Sequence, residues 1–363
     1  NTVTTGSVTI PMMKKTGYPG EFAGAVEAAA STGGQIMPPI MGAAAFIMAE
    51  MTGFDYSKII VRAILPAFLY FLGIFLGVHF KAKKLGLKGL PREELPKWGK
   101  LLPKIYLLLP LVLLVYMIVS GQTMAKSAIY ATIAAIAVSL INKDDRMTPT
   151  KFVNGLENGG KNCISIGIAC GIAGIISVCI TMTGLGGKLI TYVVSLSNGH
   201  LIIALFLTMI CCIVLGMGVP TTANYIIMAS TCAPILINGM GMHVLAANMF
   251  VFYFGIVADI TPPVALAAYA GSAIAKAPPM KTAFNATRLA IAAFIIPYIF
   301  AFNNAMIFVG DDVTVWSVAS ITISATLGML SIASGLMGYL IHDLKWISRI
   351  ALIAGGLLMI IPG

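Results

Sequence analysis

Long apolar runs follow one another along this chain, separated by short polar stretches. Each approaches the ~20 residues that span ~30 Å of hydrocarbon as a helix. The clearest cover residues 59–80, 101–119, 125–141, 163–183, 201–215, 289–309, 315–341 and 346–362. They are continuous rather than alternating, which excludes an outer-membrane β-barrel. The pattern predicts an all-α polytopic membrane protein.

Two apolar segments are interrupted in the same way. In the first, residues 1–11 are followed by Gly17, Ala23, the run Gln35-Ile36-Met37-Pro38-Pro39 and then Ala43-Ala44. In the second, residues 224–234 are followed by Gly241, Ala247, Asp259-Ile260-Thr261-Pro262-Pro263 and Ala267-Ala268. A Pro-Pro pair removes backbone donors, ending one half-helix and opening another. Inside a bilayer such a break survives only where it is buried or lines a cavity. Paired breaks in matching positions of two repeats point to a secondary-transporter binding site. Half-helices over 21–31 and 40–51 would each run ~18 Å at 1.5 Å per residue, leaving the 31–39 linker near mid-membrane.

Composition agrees: 58% of residues are hydrophobic and 10% charged, with a mean hydropathy of +0.94, against roughly 25% charged in soluble proteins. The net charge of +10 does not indicate nucleic acid, because the basic residues lie in loops between the runs, the usual positive-inside bias. Eight basic residues between Lys81 and Lys104 face only Glu93 and Glu94, so that loop reads as cytoplasmic. Lys143, Arg146, Lys151 and Lys161 do the same for 142–161, and Lys276, Lys281 and Arg288 for 275–288. Lys14 and Lys15 start the first broken segment inside, whereas the second starts outside at the uncharged 238–243 and ends inside at Lys276. The two therefore cross in opposite directions, as an inverted-topology repeat. Gly167, Gly171 and Gly174, at helical spacing, predict close helix packing, and 142–161 predicts an amphipathic helix lying along the cytoplasmic face. The chain begins at Asn1, inside the first repeat, so a C-terminal piece of a longer protein is expected.

Residues 201–215, the polar tip Gly216-Met217-Gly218-Val219-Pro220-Thr221-Thr222-Ala223-Asn224 and residues 225–237 read as a re-entrant hairpin. Its tip offers carbonyls, helix-end dipoles and the Thr221 and Thr222 hydroxyls, an oxygen-rich setting that suits Na⁺. The matching first hairpin is represented by its returning arm, 1–13. Asp259 stands at the second break where the first has neutral Gln35. A charge at the bilayer centre costs ~3 kcal/mol on insertion scales, so Asp259 is expected to be a cation ligand or proton carrier; a cap on the following half-helix is the alternative role. Glu27 is a weaker candidate, and Glu50 reads as an interfacial anchor. The six cysteines lie in apolar stretches without metal-ligand spacing and read as packing residues. The acidic pairs Asp144-Asp145 and Asp311-Asp312 read as solvated loops. No histidine pair or nucleophile–base arrangement suggests an intramembrane enzyme, and two occluding hairpin-and-break units argue against a channel.

At Ser31-Thr32-Gly33-Gly34-Gln35-Ile36-Met37-Pro38-Pro39, at Asp259-Ile260-Thr261-Pro262-Pro263 and at Gly216–Thr222 the chain resembles the large membrane subunit of TRAP (tripartite ATP-independent periplasmic) transporters, DctM type. The spans over 315–362 resemble the fused branch, in which the small membrane subunit lies upstream in one chain and a TAXI-type periplasmic binding protein delivers substrate. The resemblance implies an elevator-type transporter in a bacterial or archaeal cytoplasmic membrane, taking up an organic anion, typically a carboxylate, on a Na⁺ gradient, with H⁺ the other coupling ion. No cofactor is implied. It assigns one ion site to Asn1 with Ser31, Thr32, Gly33, Gly34 and Gln35, and another to Gly216, Gly218, Asp259 and Thr261. Substrate would lie between, near Thr221, Thr222 and Asn224, framed by Pro38, Pro39, Pro262 and Pro263, with half-helix N-termini favouring its carboxylate. The chain then divides into a first transport unit at 1–53, scaffold spans at 54–162, leading helices at 163–199, a second transport unit at 200–277 and C-terminal spans at 278–363. A stand-alone carboxylate or anion transporter of the same fold is the alternative.

Overall fold

The computed structural model describes residues 2–89, 93, 98–141, 146–310 and 313–360. Among them the chain forms α1 (Thr2–Lys15), α2 (Gly20–Gly33), α3 (Ala43–Thr52), α4 (Tyr56–Lys84), α5 (Trp98–Leu101), α6 (Leu109–Val119), α7 (Met124–Ile141), α8 (Pro149–Met182), α9 (Leu185–Ser197), α10 (Leu201–Gly216), α11 (Thr221–Thr231), α12 (Val244–Val257), α13 (Leu266–Ala275), α14 (Pro279–Leu289), α15 (Ile291–Phe302), α16 (Val315–Met337) and α17 (Trp346–Ile360). Short 3₁₀ turns cover Leu102–Leu108, Ala258–Ile260 and Asn304–Ile307. The described residues form no strand, and five helical segments are long and apolar enough to cross a membrane: Tyr56–Lys84, Leu102–Val119, Met124–Ile141, Pro279–Phe302 and Val315–Met337. The fold is that of an all-α polytopic membrane protein.

The chain folds into two compact units, residues 89–168 and residues 1–88 with 169–363. In the smaller unit α6 and α7 pack on each other, with only 6% and 11% of their apolar windows buried. The helix α4 lies in the larger unit. Half of its apolar window is buried, against α2, α15 and α16.

Two expectations over 142–183 are corrected. Residues 142–145, including Asp144-Asp145, lie outside the described residues, as do Asp311-Asp312. From Pro149 to Met182, α8 is one unbroken helix, so no separate surface helix precedes the apolar span. A Glu157–Lys161 pair four residues apart bridges the polar and apolar halves, a spacing that supports helix continuation. Nor do Gly167, Gly171 and Gly174 pack closely: a Cβ on any of them would meet nothing within 4 Å among the described residues.

At the centre of the larger unit, every residue of α12 from Leu245 to Val257 is buried. A helix apolar on all sides must be covered all round, and α10, α11, α15 and α3 cover it. Phe250 meets Phe254 at 4.8 Å and Tyr298 at 5.6 Å between ring centroids, in tilted and edge geometries that aromatic quadrupoles favour.

The two repeats exchange partners. The arm α1 packs on its own half-helix α2 and on α13 of the other repeat, while α11 packs on its own α12 and on α3. This cross-pairing ties the two repeats together. Its closest point is the α2–α13 crossing, where a Cβ on Gly271 would lie 2.6 Å from the Gly24 carbonyl oxygen and one on Gly24 2.9 Å from that of Gly271.

Candidate functional site

Each Pro-Pro break frees backbone carbonyls, and side chains from nearby elements satisfy them. Tyr56, at the start of α4, donates to the Pro39 carbonyl at 3.2 Å, and Tyr269 of α13 donates to the Pro263 carbonyl. The Thr287 hydroxyl lies 3.0 Å from the Ile260 carbonyl, and wholly buried Tyr70 donates to Ala29 at 2.7 Å. Broken helices are tolerated at membrane depth under this condition, with their freed groups paired inside the protein. The Pro38-Pro39 and Pro262-Pro263 bonds are both cis.

Between the breaks lies a cavity of about 250 Å³ lined by Thr2, Ser31, Thr32, Gln35, Asp259 and Ala267. Ser31 and Thr32 belong to the last turn of α2, and Ala267 to the first turn of α13. The cavity therefore faces one helix C-terminus, which favours cations, and one N-terminus, which favours anions. Thr221 starts α11 at the hairpin tip, and the turn Ala258–Ile260 that carries Asp259 packs on α10, the other arm of that hairpin. Asp259 does not cap the next half-helix. The N-cap of α13 is Ala265, which has no side-chain cap and a φ of +37°.

The structure thus brings Asp259 together with Ser31, Thr32 and Gln35, which the sequence placed in separate ion sites. Asn1 lies outside the described residues, next to cavity-lining Thr2. Gly33 is pressed against Tyr70, whose ring a Cβ there would meet at 2.2 Å, and the Gly34 N–H closes α2 by bonding the Ala30 carbonyl. The Thr261 hydroxyl donates to the Val257 carbonyl at 2.8 Å. Gly218 is exposed with a φ of +75°, a backbone region open to glycine at little cost. Thr222 is half-buried in the first turn of α11. Pro38, Pro39, Pro262 and Pro263 stand at the two breaks and do not line the cavity.

Asn224 is only 1% exposed and does not line the cavity either. Its Nδ2 donates to the Gly255 carbonyl at 3.0 Å, while its Oδ1 is buried without a donor among the described residues. Gly216 presses against it, since a Cβ there would lie 2.7 Å from Nδ2. Buried acceptors are nearly always partnered; this one has no partner among the described residues.

Sequence reading undervalued Glu27. It is 6% exposed and accepts hydrogen bonds from Thr5, Thr9 and Ser31, the last at 3.2 Å. Thr5 with Thr9 and Glu27 with Ser31 are each four apart, so each pair shares a helix face, a signal that was legible. Glu50 is exposed near the end of α3. Replacing Glu27 with alanine removes the acceptor joining α1 to α2 and is expected to destabilise the protein by about 2–3 kcal/mol, with glutamine intermediate. Thermal unfolding in detergent measures this; an unchanged midpoint for Glu27→Ala contradicts it.

A family model described as tripartite ATP-independent periplasmic transporter, DctM component, matches residues 1–311. Comparison with curated proteins gives no match. The matched stretch contains both breaks, the hairpin and the cavity; α16 and α17 lie beyond it.

Proposed function

The chain belongs to the DctM component family of tripartite ATP-independent periplasmic transporters, a membrane transport family whose members work with a periplasmic solute-binding protein and a small membrane subunit, and we propose that it takes up a small organic acid in symport with Na⁺. We assign the donor as a TAXI-type binding protein, the small subunit as fused upstream, and the membrane as the cytoplasmic membrane of a bacterium or archaeon.

The observation that carries this reading is the shared cavity, in which Asp259 of one break faces Ser31, Thr32 and Gln35 of the other. A carboxylate, hydroxyls and an amide oxygen are hard ligands of the kind Na⁺ prefers. An organic anion entering beside ionised Asp259 meets a like charge; a cation held by that carboxylate removes the repulsion, so anion and cation enter together. The open Oδ1 of Asn224 supports a second cation position behind the hairpin tip rather than a direct substrate contact. Elevator-type movement of the unit that carries both breaks would expose this cavity alternately to each side.

The test is uptake of a labelled carboxylate by proteoliposomes holding the full-length protein, with its binding protein added. Uptake that needs both a Na⁺ gradient and the binding protein is expected. Uptake on a proton gradient alone would make Asp259 a proton carrier, and uptake without the binding protein would place the chain among stand-alone transporters.

A further inference from the structure

At the end of the larger unit that the positive-inside bias assigns to the cytoplasm, four cations converge. A Cβ on Gly338 would lie 3.0 Å from Lys84 Nζ and 3.2 Å from Arg349 Nε, and α14, which carries Arg288, packs on α4, which carries Lys81 and Lys84; Lys81 and Arg288 also feel each other's charge. Two acids stand nearby. Glu21 acts on Lys81, and Asp343 approaches Lys84 at 3.8 Å with 75% of its side chain exposed, where an ion pair contributes little. Part of the cluster has a structural duty. Arg349 donates to the Gly335 and Leu336 carbonyls at 2.9 and 3.1 Å, and Lys84 to Met337 at 3.3 Å, so both satisfy the C-terminal end of α16.

That duty does not account for Arg288. It sits in the last turn of α14, inside the apolar span Pro279–Phe302, and makes no hydrogen bond or ion pair among the described residues. A half-buried charge is normally paired, whereas this one is flanked by cations. We propose that the ends of α4, α14 and α17 form a binding site for the phosphate of an anionic membrane lipid, with Lys81 and Arg288 as its principal donors. Basic pockets between transmembrane helices on the cytoplasmic side take such headgroups. Lipid is favoured as the source because α17 begins with Trp346 and Ile347, 69% and 81% exposed, the amphipathic and apolar surface of a membrane interface. Arg349 comes from the helix pair α16–α17, which lies outside the 1–311 family match; completing this site gives that pair a role.

Thermal unfolding of the purified full chain, titrated with phosphatidylglycerol, phosphatidylcholine or inorganic phosphate, tests this. Phosphatidylglycerol alone should raise the midpoint. Arg288→Gln should raise its half-saturating concentration about five-fold, the weight of one basic residue at an anionic lipid surface, and Arg288→Lys should not. Equal protection by phosphatidylcholine, or an unchanged titration for Arg288→Gln, overturns the site. Equal protection by inorganic phosphate overturns the lipid assignment. If Arg288→Gln does not fold, Lys81→Gln decides on the same criteria.

Discussion

Asp259→Ala is expected to abolish cation-coupled uptake while leaving the protein folded and inserted. The carboxylate lines the cavity between the two breaks. Losing it removes the one formal charge on that wall, with Thr2, Ser31, Thr32 and Gln35 left as neutral ligands. Even outer-shell partners of bound metals contribute about 10–100-fold in affinity, so a direct ligand should weaken Na⁺ binding by at least about 100-fold. Removing a charge from membrane depth also eases insertion rather than hindering it, so the loss should not come from misfolding. Asp259→Asn separates the coupling ions. An amide still offers an oxygen to Na⁺, leaving weakened Na⁺-driven uptake, but it carries no proton across. The measurement is the Na⁺ dependence of thermal stability beside uptake. Undiminished Na⁺ stabilisation in Asp259→Ala would remove the residue from the ion site.

Gly271→Ala should have the largest effect on the architecture. A Cβ there would lie 2.6 Å from the Gly24 carbonyl oxygen, a backbone atom that cannot rotate aside, so α2 and α13 must separate. Overpacking of this kind costs about 1–3 kcal/mol. The displacement also reaches the cavity, because Ser31 and Thr32 ride on α2 and Ala267 on α13. We expect a lower unfolding midpoint together with at least about ten-fold slower uptake, the latter following the roughly 100-fold penalty that a 1 Å misplacement of reacting groups can bring in enzymes. Gly171→Ala is the matched control. No described residue lies within 4 Å of its added Cβ, and an alanine in a helix is favoured over glycine by up to about 1 kcal/mol. Equal behaviour of the two variants would mean the α2–α13 crossing tolerates separation.

These two glycines also show what the sequence could and could not convey. Five of the eight apolar runs and the two breaks were legible because their signals are local: continuous apolar stretches, and Pro38-Pro39 and Pro262-Pro263. Helix-to-helix partnerships are not local. Gly167, Gly171 and Gly174 have the spacing of a packing face yet meet no described residue, while Gly24 and Gly271 meet backbone to backbone across two helices far apart in the chain. The same long-range exchange explains the site. The family resemblance implied one ion site with Ser31–Gln35 and another with Asp259; packing α2 against α13 lines one cavity with Asp259, Ser31, Thr32 and Gln35. Tyr56 and Tyr269 carry no local signal for their task either, because the carbonyls they satisfy at Pro39 and Pro263 are freed only once the helices break. Glu27 was within reach, since Thr5, Thr9 and Ser31 already stood at helical spacing on two neighbouring segments.

One cavity between the breaks is proposed to take both the cation and the organic anion. By reciprocal linkage, each ligand must then tighten the other's binding by the same factor. The most direct measurement is the affinity of the purified protein for its carboxylate substrate with Na⁺ present and with Na⁺ replaced by choline. The account predicts tight binding in Na⁺, a large loss in choline, and no difference between the two in Asp259→Ala. Equal affinity in both salts for the unaltered protein would contradict it.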